Sequence, residues 1–164
     1  MNFEIVQYKS KDKGNLMKLF CEFQDYLISI DKLHRLKRVK GYETKYLNYI
    51  LNAVKKNSGI IYLVKAGDKV IGYAVGIVYT NYGEERLNVG KKEKIGRLID
   101  LFVKQNYRGQ AVGRKLMVVM EKYFKSKKCN LIRIEVYSPN GNAYKFYKKN
   151  SYLDESVEVV KFIR

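Results

Sequence analysis

The stretch that most constrains this chain runs from Leu98 to Leu116, reading Leu-Ile-Asp-Leu-Phe-Val-Lys-Gln-Asn-Tyr-Arg-Gly-Gln-Ala-Val-Gly-Arg-Lys-Leu. Its first six residues are apolar except Asp100, its middle carries Gly109 and Gly113, and its end merges into an amphipathic run. Strand, tight loop and helix are therefore expected in that order. Such an order makes an anion site. The first turn of a helix leaves backbone N–H groups without internal partners and carries the positive end of the helix dipole, and glycines let a phosphate approach that backbone closely. Arg108 sets a fixed positive charge beside the loop.

Around this unit the pattern alternates between the two secondary-structure periods. Asn2 to Tyr8 reads as an opening strand. Leu16, Leu19, Phe20, Phe23, Leu27 and Ile30 mark one buried face of a helix over Asp12 to Ile30. A second helix over Tyr42 to Lys56 carries Tyr46, Leu47, Ile50, Leu51 and Val54 inward and stops at Asn57-Ser58-Gly59. Ile60 to Lys65 and Val70 to Tyr79 read as an antiparallel hairpin; Gly72 and Gly76 in its second arm mark a bulge or a close approach of another backbone. Thr80 to Lys94 is polar, and its pattern fits a long connection or an extension of its flanking strands equally.

The remainder follows the same alternation. Ile95 to Val103 is the strand of the opening stretch and Val112 to Lys127 its helix, followed by a strand over Leu131 to Val136. Asn140 is a good N-cap for a short helix over Gly141 to Lys149, and Val157 to Ile163 reads as a closing strand. The fold class expected is α/β: one domain spanning 1–164, with antiparallel hairpins, a parallel strand-helix-strand unit and flanking helices.

Composition excludes more than it selects. A chain of 164 residues buries a sufficient core without disulfides or metal. Cys21 and Cys129 stand at no metal-ligand spacing, which argues against zinc and against a disulfide framework and fits a reducing, cytoplasmic compartment. His34 is the only histidine, so any Ser-His-Asp or Cys-His chemistry would have to pass through it. No apolar run reaches the length of about 18 residues expected of a membrane span. The net charge of +17 attracts anionic partners of every class, and a solvated lysine surface accounts for most of it.

Two segments taken together resemble the GNAT superfamily of acyl-CoA-dependent N-acetyltransferases. The first is Val103-Lys-Gln-Asn-Tyr-Arg-Gly-Gln-Ala-Val-Gly113; the second is Val136-Tyr-Ser-Pro-Asn-Gly-Asn-Ala-Tyr-Lys-Phe-Tyr-Lys-Lys-Asn-Ser-Tyr152. The resemblance implies that Leu101, Phe102 and Val103 offer backbone groups to the pantetheine arm of acetyl-CoA. It implies that Arg108, Gly109, Gln110, Ala111, Val112 and Gly113 wrap the pyrophosphate, and that Asn140 and Ala143 lie beside the cofactor. Ala111 stands where the family has a glycine, and its methyl group restricts φ. Tyr147 falls on the family's usual general acid, and Ser151-Tyr152 stands where Gly-Phe is usual. The segment Leu98 to Gly109 is also similar to the polyamine acetyltransferases of the family, with Ile99 in place of a carboxylate they carry.

For the base, Asp100 is the only ionisable group between Leu98 and Val103. Desolvation in an apolar strand would push its pKa upward into a useful range. Pairing with one of the many lysines is the competing role, and Glu135 reads as an exposed ion-pair partner. The activity implied is direct acetyl transfer from acetyl-CoA to a primary amine of a small molecule or peptide. A non-catalytic GNAT-fold module that senses acyl-CoA or binds nucleic acid is the alternative, ranked lower because no nucleic-acid motif is present. The resemblance puts His34, Arg35, Tyr42 and the residues near Tyr79 to Tyr82 on the acceptor side. Their character hints at an acceptor bearing a carboxylate or phosphate. Dimers are common among such proteins, which keeps a homodimer in view.

Overall fold

The computed structural model describes residues 2–81 and 93–163. Five strands lie in sequence order across one sheet: β1 (Glu4–Gln7), β2 (Ile60–Ala66), β3 (Lys69–Asn81), β4 (Glu93–Val103) and β5 (Leu131–Ile134). The first three pairings are antiparallel and β4 with β5 is parallel. Among the described residues four α-helices accompany the sheet: α1 (Lys13–Ser29), α2 (Tyr42–Lys56), α3 (Val112–Ser126) and α4 (Gly141–Lys149). This is the mixed α/β arrangement expected, and α3 is the crossover that a parallel pair requires.

Helices cover both faces of the sheet, so its central strands are apolar on both sides. In β2, Leu63 packs with Leu16, Leu19, Phe20, Leu47 and Ile50 of α1 and α2, while its neighbour Val64 packs with Leu116, Met117, Met120 and Phe124 of α3. Tyr73 and Ala74 of β3 divide in the same way. Period-two alternation thus appears as a division between two cores rather than between core and water.

The β3 glycines make close approaches. A Cβ on Gly72 would sit 2.7 Å from the Phe102 carbonyl oxygen, and one on Gly76 would sit 2.2 Å from Met120 Cε. Between Val75 and Gly76 the register slips: Val75 faces Asp100 and Gly76 faces Leu98, leaving Ile99 as the extra residue of a bulge in β4. The bulge sets the site. Ile99 packs among the residues under α1 and α2, and Asp100 is turned to that same side, whereas Leu98 and Leu101 pack toward α3.

Two expectations need adjustment. Residues 157–163 form no strand; Val157, Val159 and Ile163 are 85%, 86% and 95% exposed. Alternation there reports a face that burial would favour, but a strand also needs an edge to pair with, and β5 is only four residues long. The undecided stretch Thr80 to Lys94 resolves at its two ends, where Thr80 pairs with Lys94 and Asn81 with Glu93; residues 82–92 lie outside the described residues.

Candidate active site

Parallel pairing of β4 with β5 runs from Ile95↔Leu131 to Leu98↔Ile134 and ends there, while β4 continues to Val103 along β3. The two strands part beyond Leu98. A cleft of about 710 Å³ opens at that point, floored by β4 and β5 and walled by Phe23 and Leu27 of α1, Tyr46 and Tyr49 of α2, and Asn140, Ala143 and Tyr147 of α4.

Asp100 stands on the cleft floor, 7% exposed. Its Oδ2 accepts hydrogen bonds from Tyr46 Oη at 2.8 Å and Tyr73 Oη at 3.1 Å. Burial disfavours the carboxylate and the two phenols favour it; burial wins, and the pKa rises to about 6. Sequence reasoning placed Asp100 against a lysine or in a catalytic role. The structure gives it two tyrosines. In the sequence both are members of apolar runs, 54 and 27 residues away from Asp100.

Tyr147 reaches the same cleft from α4, 9% exposed, with its ring edge-on to Phe146 and Tyr152 at 5.2 and 5.7 Å. Desolvation first, and then the nearby negative charge of Asp100, push its pKa above the ordinary tyrosine value. Helix α4 is aimed by its cap. Asn140 Oδ1 accepts from the Ala143 N–H at 3.3 Å and from Tyr26 Oη at 3.0 Å, which ties α1 to the start of α4.

The loop between β4 and α3 holds the other expected residues. Gly109 has φ +77° with open space where a Cβ would project, and Ala111 takes the left-handed conformation at φ 60° as the N-cap of α3. Gly113 lies against the Phe146 ring, 3.5 Å from where its Cβ would be, so the first turn of α3 packs on the body of α4. Arg108 is turned back onto the strand. Its Nε donates to the Val103 carbonyl at 2.8 Å, and its guanidinium lies 4.8 Å from the Tyr26 ring centre and 5.7 Å from that of Phe102. Gln110 Nε2 donates to the Asn106 carbonyl at 3.3 Å. Leu101 is on the cleft wall, whereas the Phe102 and Val103 side chains point into the two cores.

The expected acceptor-side residues divide. Tyr79 lines the cleft, and Tyr42 stacks on Tyr46 at 5.3 Å. His34 and Arg35 are exposed and are not among the described residues of the cleft wall. Their segment is organised by Asp31, which accepts from the N–H groups of Leu33, Arg35 and Leu36 and from the Tyr137 hydroxyl. Those donors, Tyr137 foremost, lower its pKa to about 2. Glu135 pairs with Arg97 at 2.7 Å, and its side chain is 82% exposed.

The chain is similar to known proteins in sequence and in fold. The chain is 28% identical over 148 residues to a bovine (Bos taurus) thialysine N-epsilon-acetyltransferase, covering 88% of this chain and 80% of that one. It is 27% identical over 130 residues to an uncharacterised N-acetyltransferase of Methanocaldococcus jannaschii, covering 78% and 74%. A solved structure of a Bacillus halodurans protein superposes with a TM-score of 0.81 at 16% identity, over 98% of this chain and 99% of that one. The family model for the GNAT acetyltransferases matches residues 27–152, from the end of α1 through α4, and so includes the cleft residues other than Phe23, the glycine loop and both strands that part. The chain therefore belongs to the GNAT acetyltransferase family.

Proposed function

We propose that the protein transfers an acetyl group from acetyl-CoA directly to a primary amine held in the cleft between β4 and β5. The observation that carries this reading is that Asp100 and Tyr147, from a strand and a helix 47 positions apart in sequence, face one cleft where the sheet parts. Transfer of this kind needs a group that accepts a proton from the amine and one that gives a proton to the departing thiolate.

Asp100 suits the first role. With a pKa of about 6 it is ionised at neutral pH yet more basic than a solvated carboxylate. Tyr147 suits the second by position: it lines the same cleft, and burial keeps its phenol protonated and able to donate to the departing thiolate. A thiolate of pKa roughly 8 to 9, by analogy with cysteine, is stabilised by a phenolic donor that remains protonated.

The acyl donor fits the residues present. Beyond Leu98 the β4 edge turned toward β5 is no longer paired with it, so the backbone of Leu101 to Val103 can extend the sheet to an amide-bearing pantetheine arm. The open face of Gly109 and the N-terminal turn of α3 suit the pyrophosphate, with Gln110, Ala111, Val112 and Gly113 supplying the backbone and Arg108 closing the loop against β4. Asn140 and Ala143 would flank the arm from the start of α4. Acetyl-CoA consumption measured over amino acids, polyamines, aminoglycosides and peptides tests the reading. Turnover on one class supports it, and inactivity on all of them contradicts it.

A further inference from the structure

The far end of the cleft carries charged groups that acetyl transfer itself does not use. Arg97 and Arg133 are register partners across the parallel pair, so their side chains leave the sheet on one face. Glu135 reaches that face too, since it pairs with Arg97, and all three line the cleft with Asp100. Like charges directly opposite each other destabilise a sheet, so this pairing needs compensation.

The two arginines are compensated differently. Arg133 is fully engaged: Nε and Nη2 donate to the Glu155 carboxylate, and Nη1 donates to Tyr79 Oη at 2.9 Å. It is a fixed wall. Among the described residues Arg97 contacts only Glu135, donating through Nη2 to a side chain that is 82% exposed. Exposed pairs of that kind are weakly held and readily exchange partners. Arg97 stands three strand residues from Asp100, on the order of 10 Å along the chain.

We propose that Arg97 and Glu135 form a subsite for the α-amino-acid head of the acceptor, which is a free diamino acid of about lysine length. Arg97 takes the α-carboxylate, Glu135 takes the α-ammonium, and the side-chain amine lies at Asp100. A zwitterionic head replaces the Arg97–Glu135 pair with two pairs of the same signs, so no charge is stranded. The transfer balances: a C–N bond forms at the side-chain nitrogen as the thioester C–S bond breaks, the amine proton goes to Asp100, and the thiolate takes a proton from Tyr147. This assignment rests on the acetyl-transfer reading above.

L-lysine, cadaverine (the same diamine without the carboxylate) and 6-aminohexanoate (the carboxylate without the α-amine) test it, in the wild type and in Arg97→Gln and Arg97→Lys. L-lysine is expected to exceed cadaverine by about tenfold or more in kcat/KM, chiefly through KM, as the loss of one charge-assisted contact implies. 6-Aminohexanoate should fall between them. Arg97→Gln should bring the lysine-to-cadaverine ratio close to one, and Arg97→Lys should retain part of it. Equal use of cadaverine by the wild type, or an Arg97→Gln variant that loses both substrates in proportion, overturns the subsite while leaving acetyl transfer intact. A thermal shift with L-lysine but not cadaverine, lost in Arg97→Gln, supports the subsite even if no amine is acetylated, in which case the transfer reading fails instead.

Discussion

The Tyr46 hydroxyl donates to Asp100 Oδ2 across 2.8 Å, joining the second turn of α2 to the bulge in β4. This bond holds the carboxylate toward the cleft and opposes the effect of its burial. Tyr46→Phe removes a donor that favours the ionised form. The acid limb of kcat/KM should therefore move to higher pH than in the wild type, a shift that a pH–rate profile of both proteins measures directly.

The same burial has a stability consequence. The folded pKa of Asp100, about 6, lies above the ordinary 3.8, so between those values the folded state holds the extra proton. Stability contributed by the protonated form is present below pH 3.8 and is lost as pH rises through about 6. Asp100→Asn should accordingly raise the melting temperature at pH 8 more than at pH 4 while abolishing most turnover. Thermal denaturation at the two pH values checks this.

Tyr147→Phe keeps the ring contacts with Phe146 and Tyr152 and removes only the hydroxyl. Turnover should fall by roughly a hundredfold or more, the usual worth of a general acid. CoA affinity from calorimetric titration should stay within a few-fold of wild type. Unchanged turnover would remove Tyr147 from the chemistry.

Ala111 occupies a left-handed conformation at the N-cap of α3. A side chain there costs on the order of 1–2 kcal/mol, and β-branching raises the cost. Ala111→Gly should tighten CoA binding with little change in stability, because the relief of strain is offset by the freer unfolded chain. Ala111→Val should weaken binding and lower stability together. CoA titration and urea unfolding of the two variants separate these effects.

Two glycines give opposite expectations from the same substitution. A Cβ on Gly96 would lie 2.4 Å from the ring of Phe124, which is 1% exposed and has no room to move. Gly96→Ala should cost about 1–3 kcal/mol as overpacking. Gly14, in the first turn of α1, has nothing within 4 Å of its Cβ position, and Gly14→Ala should stabilise by about 0.5–1 kcal/mol. Urea midpoints measure both.

The parts of the site legible in the sequence are those contiguous in it. Leu98 to Leu116 reads as strand, loop and helix because its period changes within a few residues, and Asn140 reads as a cap because capping is local; both stand as expected. Tyr46 and Tyr73 were not legible as donors. Each sits in an apolar pattern that explains it as core, and only the fold brings their hydroxyls to Asp100. Gly76 carried a signal for the bulge, although the signal did not say which β4 residue would be displaced. Val157 to Ile163 misled because alternation identifies a face and not a partner. Arg97 and Arg133 are not legible as facing cleft residues, since cross-strand register is invisible before pairing is known.

In the proposed transfer Asp100 accepts the proton of the attacking amine in the cleft where β4 and β5 part. The most direct measurement is kcat/KM for the best amine acceptor between pH 5 and 9, in the wild type and Asp100→Asn. The wild type should show a limb rising through about pH 6, and the variant should lose that limb along with activity by roughly 10²–10⁴-fold. An Asp100→Asn enzyme that retains both the limb and its rate would exclude Asp100 as the base.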